Sequence, residues 1–122
     1  MAGTIDPFLE DLFQPVPDVR FKRMFGGVGI FRDELMFGLV ADDVLHLKAD
    51  EQTIAAFEAE GCGPFVYEGK GRMTTMPYWR VPERLFDEPE EFAQWAEAAF
   101  AVALRVAKAK KPSRKKAVAV KK

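Results

Sequence analysis

The 122-residue chain is 48% apolar, holds eleven phenylalanines and carries a formal net charge of −1. That length suits one domain with one core, and no apolar run nears the roughly 20 residues a membrane helix needs. Cys62 is the only cysteine, which excludes an internal disulfide and points to a reducing compartment.

The first six residues, Met1-Ala2-Gly3-Thr4-Ile5-Asp6, show no basic segment leading into an apolar one, so no signal peptide is expected and the expected location is cytoplasmic. The small net charge hides an asymmetry. The 18 Lys and Arg divide equally: nine lie in residues 105–122, with no acid among them, and nine lie in residues 1–104 beside all 19 acids, a net of −10. Blocks of one charge are usually disordered interaction tails. The expected organisation is a folded domain over residues 1–107 and a basic, disordered tail over 108–122.

In chain order, Asp6 and Pro7 read as the cap and first turn of a short helix. Phe8, Leu9, Leu12 and Phe13 share a face, and Pro15 and Pro17 stop it. Residues 19–25 alternate as a strand with Val19, Phe21 and Arg23 on one face. A glycine-rich bend or bulge at Gly26, Gly27 and Gly29 leads into a second strand, with Phe25, Val28 and Ile30 as core anchors. Glycine weakens a strand, so a local need for positive φ or close backbone approach is implied there.

Turns at 32–34 and 41–43 bound an apolar strand over 35–40 and an alternating strand over 44–48. Such short links favour an antiparallel meander. Asp50 is placed to cap a helix over 51–60, with Gly61 as its C-terminal glycine. Residues 65–68 and 72–81 form a hairpin about Gly69-Lys70-Gly71, and Pro77 demands an edge, a bulge or a break. Asp87 with Glu90 resembles a capping box, Pro89 lies in the first turn, and Phe92, Trp95, Ala96, Ala99, Phe100, Ala103 and Val106 form a helical stripe wide enough to cover a sheet. Pro112 is expected to end that helix. The order α, three or four β, α, two β, α predicts a two-layer α+β sandwich.

The catalytic inventory is thin. The only serine is Ser113, asparagine is absent, and His46 and Cys62 are single copies. A triad needs nucleophile, base and orienter together, and a zinc set needs more His and Cys than this. No catalytic residue, cofactor or metal is expected. Cys62 after Gly61 reads as a passive thiol near the surface. Asp33-Glu34 and Asp42-Asp43 are ordinary turn residues. Neither Gly26-Gly27-Val28-Gly29 nor Gly69-Lys70-Gly71 opens a helix, as phosphate loops do. Arg20, Lys22 and Arg23, interleaved with Phe21 and Phe25, fit the cation-and-aromatic surfaces that bind single strands; the plainer arrangement turns the phenylalanines inward and the cations outward. Tyr78 and Trp79 are expected in the core or an interface. Lys108, Lys110, Lys111, Arg114, Lys115 and Lys116 are candidates for salt-dependent, sequence-independent phosphate contact.

The run Arg23, Met24, Phe25, Gly26, Gly27, Val28, Gly29 resembles the N-terminal domain of the TfoX/Sxy family of bacterial competence regulators. Residues 35–37 leading to 45–48, residues 64–67 and residues 76–83 follow in the same order, so the resemblance spans about 8–104. It implies an α-β(3)-α-β(2)-α fold with an antiparallel sheet, like that of type III secretion chaperones. It also implies a part in activating competence genes, with no catalytic residues. The chain differs from full-length regulators in carrying a basic tail where they carry a second, helical domain. The resulting expectation is a non-enzymatic regulatory or adaptor module that acts on a protein partner, with DNA touched through the tail and no membrane role. The alternative is a chaperone-like homodimer with no nucleic-acid role.

Overall fold

The computed structural model describes residues 7–24 and 26–116, those from 110 onward through their backbone alone. The elements are α1 (Pro7–Leu12), β1 (Arg20–Met24), β2 (Gly27–Arg32), β3 (Leu35–Ala41), β4 (Val44–Lys48), α2 (Ile54–Ala59), β5 (Pro64–Gly69), β6 (Arg72–Arg80), a 3-10 turn (Glu83–Asp87) and α3 (Pro89–Lys116). Four strands precede α2, because the glycine bend divides the first of them from the second. The six strands form one antiparallel sheet in the order β1-β2-β3-β4-β6-β5. The helices cover one face of it, giving the expected two-layer α+β sandwich. None of the helices among the described residues is long and apolar enough to cross a membrane.

Turn chemistry sets the meander. Asp33-Glu34, Asp42-Asp43 and Lys70-Gly71 each have positive φ at both positions, between 51° and 73°. Two consecutive left-handed residues match the twist of the flanking strands, and such positions suit Asp33, Asp42 and Asp43 at the first two tips. Two irregularities then aim side chains. The β2–β3 register shifts between Ile30 and Phe31, so Phe37 and Gly38 both turn toward the helices. Near Pro77 the β5–β6 pairing jumps from Val66↔Thr75 to Pro64↔Trp79, and the Pro77 carbonyl accepts a bond from the Ala49 N–H. The bulge solves the problem of a residue with no N–H inside a strand.

Ile30, Phe37, Leu47, Leu85, Phe92, Ala96 and Val102 are fully enclosed. Phe13, from the turn after α1, meets Phe21, Phe37 and Phe92 edge-on at 4.9–6.4 Å, and Phe37 meets Phe100 at 5.7 Å. At roughly 25 cal/mol per Å2 of buried apolar surface, such rings dominate the stabilisation.

Several boundaries differ from the sequence reading. Residues 51–53 form a turn, and α2 begins at Ile54 after Thr53; the Asp50 carbonyl and carboxylate serve that turn. Gly61 (φ +77°) does end α2, with its own N–H bonding Glu58 and the Cys62 N–H bonding Phe57, a Schellman motif. Asp87 closes the 3-10 turn rather than capping α3. Its place is taken by Glu88, whose carbonyl accepts the Phe92 N–H. The α3 backbone also continues through Pro112 to Lys116. Proline forfeits one hydrogen bond and crowds the preceding turn, yet its fixed φ near −65° is itself helical. Asp6 and Phe25, read as a cap and a core anchor, lie outside the described residues.

Candidate functional site

The glycine run that marks the sequence lies where β1 turns into β2. Gly26 holds φ +77°, the left-handed region glycine enters without penalty. A Cβ on Gly27 would overlap the Val40 carbonyl oxygen of the neighbouring strand. Gly29 faces away from the helices, where a Cβ would fall 2.6 Å from the Met24 sulfur and 2.8 Å from the Phe31 ring. Each of the three glycines therefore answers a different local demand, and Val28 packs against the core. Arg23 is exposed and Met24 half-buried.

Register and alternation divide the strand side chains between two faces. On the helix side stand Phe21, Ile30, Phe37, Leu45, Leu47 and Trp79. Arg32 joins them, although the sequence placed it in a turn. It is only 9% exposed, forms a double hydrogen bond with the Glu97 carboxylate of α3 at 2.8–2.9 Å, donates from Nε to the Pro17 carbonyl, and lies over the Phe100 ring at 4.6 Å. The Arg32 guanidinium holds the Glu97 carboxyl below its ordinary pKa, chiefly by those hydrogen bonds. Elsewhere Arg84 clamps Glu60 and Glu91, and Arg105 clamps Asp50, tying α2 and its flanks to α3.

No helix among the described residues covers the opposite face. Its middle carries Phe31, Met36 and Leu39, all half-buried. Tyr78 is buried, with its hydroxyl 3.4 Å from the Met36 carbonyl oxygen and the Lys48 ammonium 4.8 Å from its ring centre; burial pushes the phenol up to about 12. Arg20 stands across from Phe31 and Lys22 across from Gly29. With Phe21 and Glu34, these three side chains line a shallow hollow of about 370 Å3. Arg80 stands across from His46. In the β5–β6 hairpin Tyr67 and Gly69 share this face, and Arg72, paired with Gly69, follows them.

Arg20 and Lys22 thus come together on the open face, while Arg23 and Phe21 alternate to the other. Lys108 is exposed on α3. The side chains of Lys110, Lys111, Arg114, Lys115 and Lys116 lie outside those described. His46 is 5% exposed beneath the Phe65 ring, 5.1 Å away, with Nδ1 lacking a hydrogen-bond partner of good geometry among the described residues. Desolvation is the main cause that lowers its pKa. Cys62 is 8% exposed rather than near the surface, and burial raises its thiol pKa, so it is a poor nucleophile at neutral pH. Among the described residues, no three His, Cys, Asp or Glu side chains converge as a metal would require.

Comparison with known proteins gives two results. Residues 11–103 match the TfoX N-terminal domain. Over 68 residues the chain is 37% identical to the DNA transformation protein TfoX1 of Aliivibrio fischeri (strain ATCC 700601 / ES114), a stretch equal to 56% of this chain and 32% of that protein. The chain therefore spans about a third of the length of the curated relative it matches.

Proposed function

The chain belongs to the TfoX N-terminal domain family, and on that premise we propose that it is a non-enzymatic, cytoplasmic regulatory or adaptor module in DNA transformation. The family match over residues 11–103 carries this reading, and the name of the relative, a DNA transformation protein, supports it. The thin catalytic inventory agrees with action through contacts, with Lys108 and the basic residues after it touching duplex DNA. Deleting the gene in its host tests the regulatory reading: transformation frequency and competence transcripts should fall and be restored by the full chain. Unchanged frequency and transcripts would overturn it. For the tail, neutralising Lys108, Lys110 and Lys111 to Gln should weaken duplex binding and flatten its salt dependence.

A second reading, a chaperone-like protein-binding dimer, draws on the β5–β6 hairpin. Val66, Tyr67 and Met73 are 40%, 55% and 66% exposed there, and β5 is an edge strand, a template for pairing with another chain. Light scattering at working concentration decides it: a dimeric mass supports the second reading and a monomeric one removes it.

A further inference from the structure

We propose that the face of the sheet left open by the described helices is a platform for single-stranded DNA. It grips phosphates with Arg20, Lys22, Lys48, Arg72 and Arg80 and stacks bases on Phe31, Phe65 and Tyr67. Charge complementarity carries the argument. Residues 1–104 hold a net charge of −10, yet five of their nine cations stand on this one face. Glu68 is the only acid within any of the six strands, and it alternates to the other side, since Tyr67 and Gly69 share the open one. The remaining acids occupy helices, turns and loops; Glu34 lies 3.5 Å from Arg20 with both side chains largely in solvent, where such a pair is weak. An acidic protein with a face whose strands carry five cations and no acid, and only Glu34 at its rim, attracts a polyanion to that face.

The aromatics narrow the occupant. Tyr67 is 55% exposed, Phe65 and Phe31 are half-buried, and Phe31 borders the hollow between Arg20 and Lys22. At about 4.8 Å between strands, the face runs about 24 Å from β1 to β5. Its cations are spread over that width with rings between them, the pattern that tracks a flexible strand. The major groove of a duplex admits a helix or a two-stranded ribbon, not a six-stranded sheet. Asn is absent from the chain and every Gln lies outside the strands, so the face lacks the amides that read adenine edges, and binding is sequence-tolerant. Its strand residues also offer no carboxylate or amide on this side to engage a 2′-hydroxyl, which favours DNA over RNA. This face is separate from the basic end of α3 and does not depend on the family assignment.

The test is fluorescence anisotropy of a labelled 12-mer of deoxythymidine with the full chain across a salt series. Circular dichroism and urea midpoints confirm that each variant is folded. The wild-type chain should bind. Changing Lys22, Arg72 and Arg80 together to Gln should reduce the log–log salt slope by about 2, at about 0.7 per lost phosphate contact. Tyr67→Ala should weaken binding by roughly 5- to 150-fold with the slope unchanged. Four outcomes overturn the proposal: no binding at low salt; binding insensitive to these variants but lost when Lys108, Lys110 and Lys111 are neutralised; tighter binding of the uridine 12-mer; or a polyglutamate peptide that binds as tightly and ignores Tyr67→Ala, which would make this an acidic-peptide site.

Discussion

One sheet presents two faces built from the same strands, and they treat cations in opposite ways. On the helix side Arg32 is enclosed, held by Glu97 and flattened over Phe100. On the open side Lys22, Arg72 and Arg80 make no ion pair among the described residues, and Arg20 only a long, exposed one. Apolar residues divide likewise: Ile30, Phe37 and Leu47 have no exposure, whereas Phe31, Met36 and Leu39 remain half-buried. The pleat sorts alternate residues to opposite sides. What they then contribute depends on whether a helix covers them. The covered face carries stability, and the open face is available for contact.

The largest expected effect lies on the covered face. Phe37→Ala should cost about 3–5 kcal/mol, seen as a large drop in urea midpoint, because Phe37 sits at the bulge between Phe13 and Phe100. Phe31→Ala on the open side should cost less than half as much. Equal losses would mean that the open face is also core. Next comes the enclosed cation. Arg32→Ala strands part of Glu97 and the Pro17 carbonyl and should cost about 2–4 kcal/mol. In a double-mutant cycle with Glu97→Ala, a coupling below about 0.5 kcal/mol would show that the pair is an exposed-type bridge despite its geometry. Gly27→Ala should follow at about 1–3 kcal/mol, since the added carbon meets the Val40 backbone rather than a movable side chain.

How much of this was legible depended on range along the chain. Local chemistry spoke clearly: acids at two-residue turns gave the hairpins, Pro77 announced its bulge, Gly61 its helix end, and the 92–106 stripe its covering helix. Long-range partners were silent. Arg32 looks like a turn residue until Glu97, 65 positions away, is brought beside it. Asp50 looks like a helix cap until Arg105 claims it. The open face was visible only as Arg20, Lys22 and Arg23, and alternation removes Arg23 from that group. Arg72, Arg80 and Lys48 join it because β6 inserts between β4 and β5, a pairing that strand periodicity does not specify.

Acid should separate the faces in two steps. His46, on the open side, has a folded pKa below its unfolded value near 6.5. The native state therefore binds fewer protons, and stability falls as pH drops from about 6.5 toward the folded pKa, by up to about 1.4 kcal/mol per pH unit. Glu97 has the opposite chemistry and the same direction: its depressed folded pKa gives stability that is present above about 4.3 and lost as pH falls through the lower, folded value. His46→Gln should flatten the upper slope alone, and Glu97→Gln should lessen only the lower slope, to which Asp50, Glu60 and Glu91, also held low by arginines, contribute, in urea midpoints taken every half pH unit. A single slope removed by either variant would mean that the faces titrate together.

The smallest stability effect should come from the residues that matter most to the open face. Lys22 is exposed, pairs across strands with Gly29, which has no side chain to lose, and has Arg20 as its cationic neighbour on the same face of β1. Lys22→Glu removes like-charge repulsion and no contact, so the urea midpoint should correspond to a change within about 0.5 kcal/mol. A stabilisation would still fit, because a carboxylate beside Arg20 is favourable. A loss above about 1 kcal/mol would not. It would show that Lys22 already has a folding role on a face that the sheet otherwise leaves open, and the division between a covered face for stability and an open face for contact would fail at its edge strand.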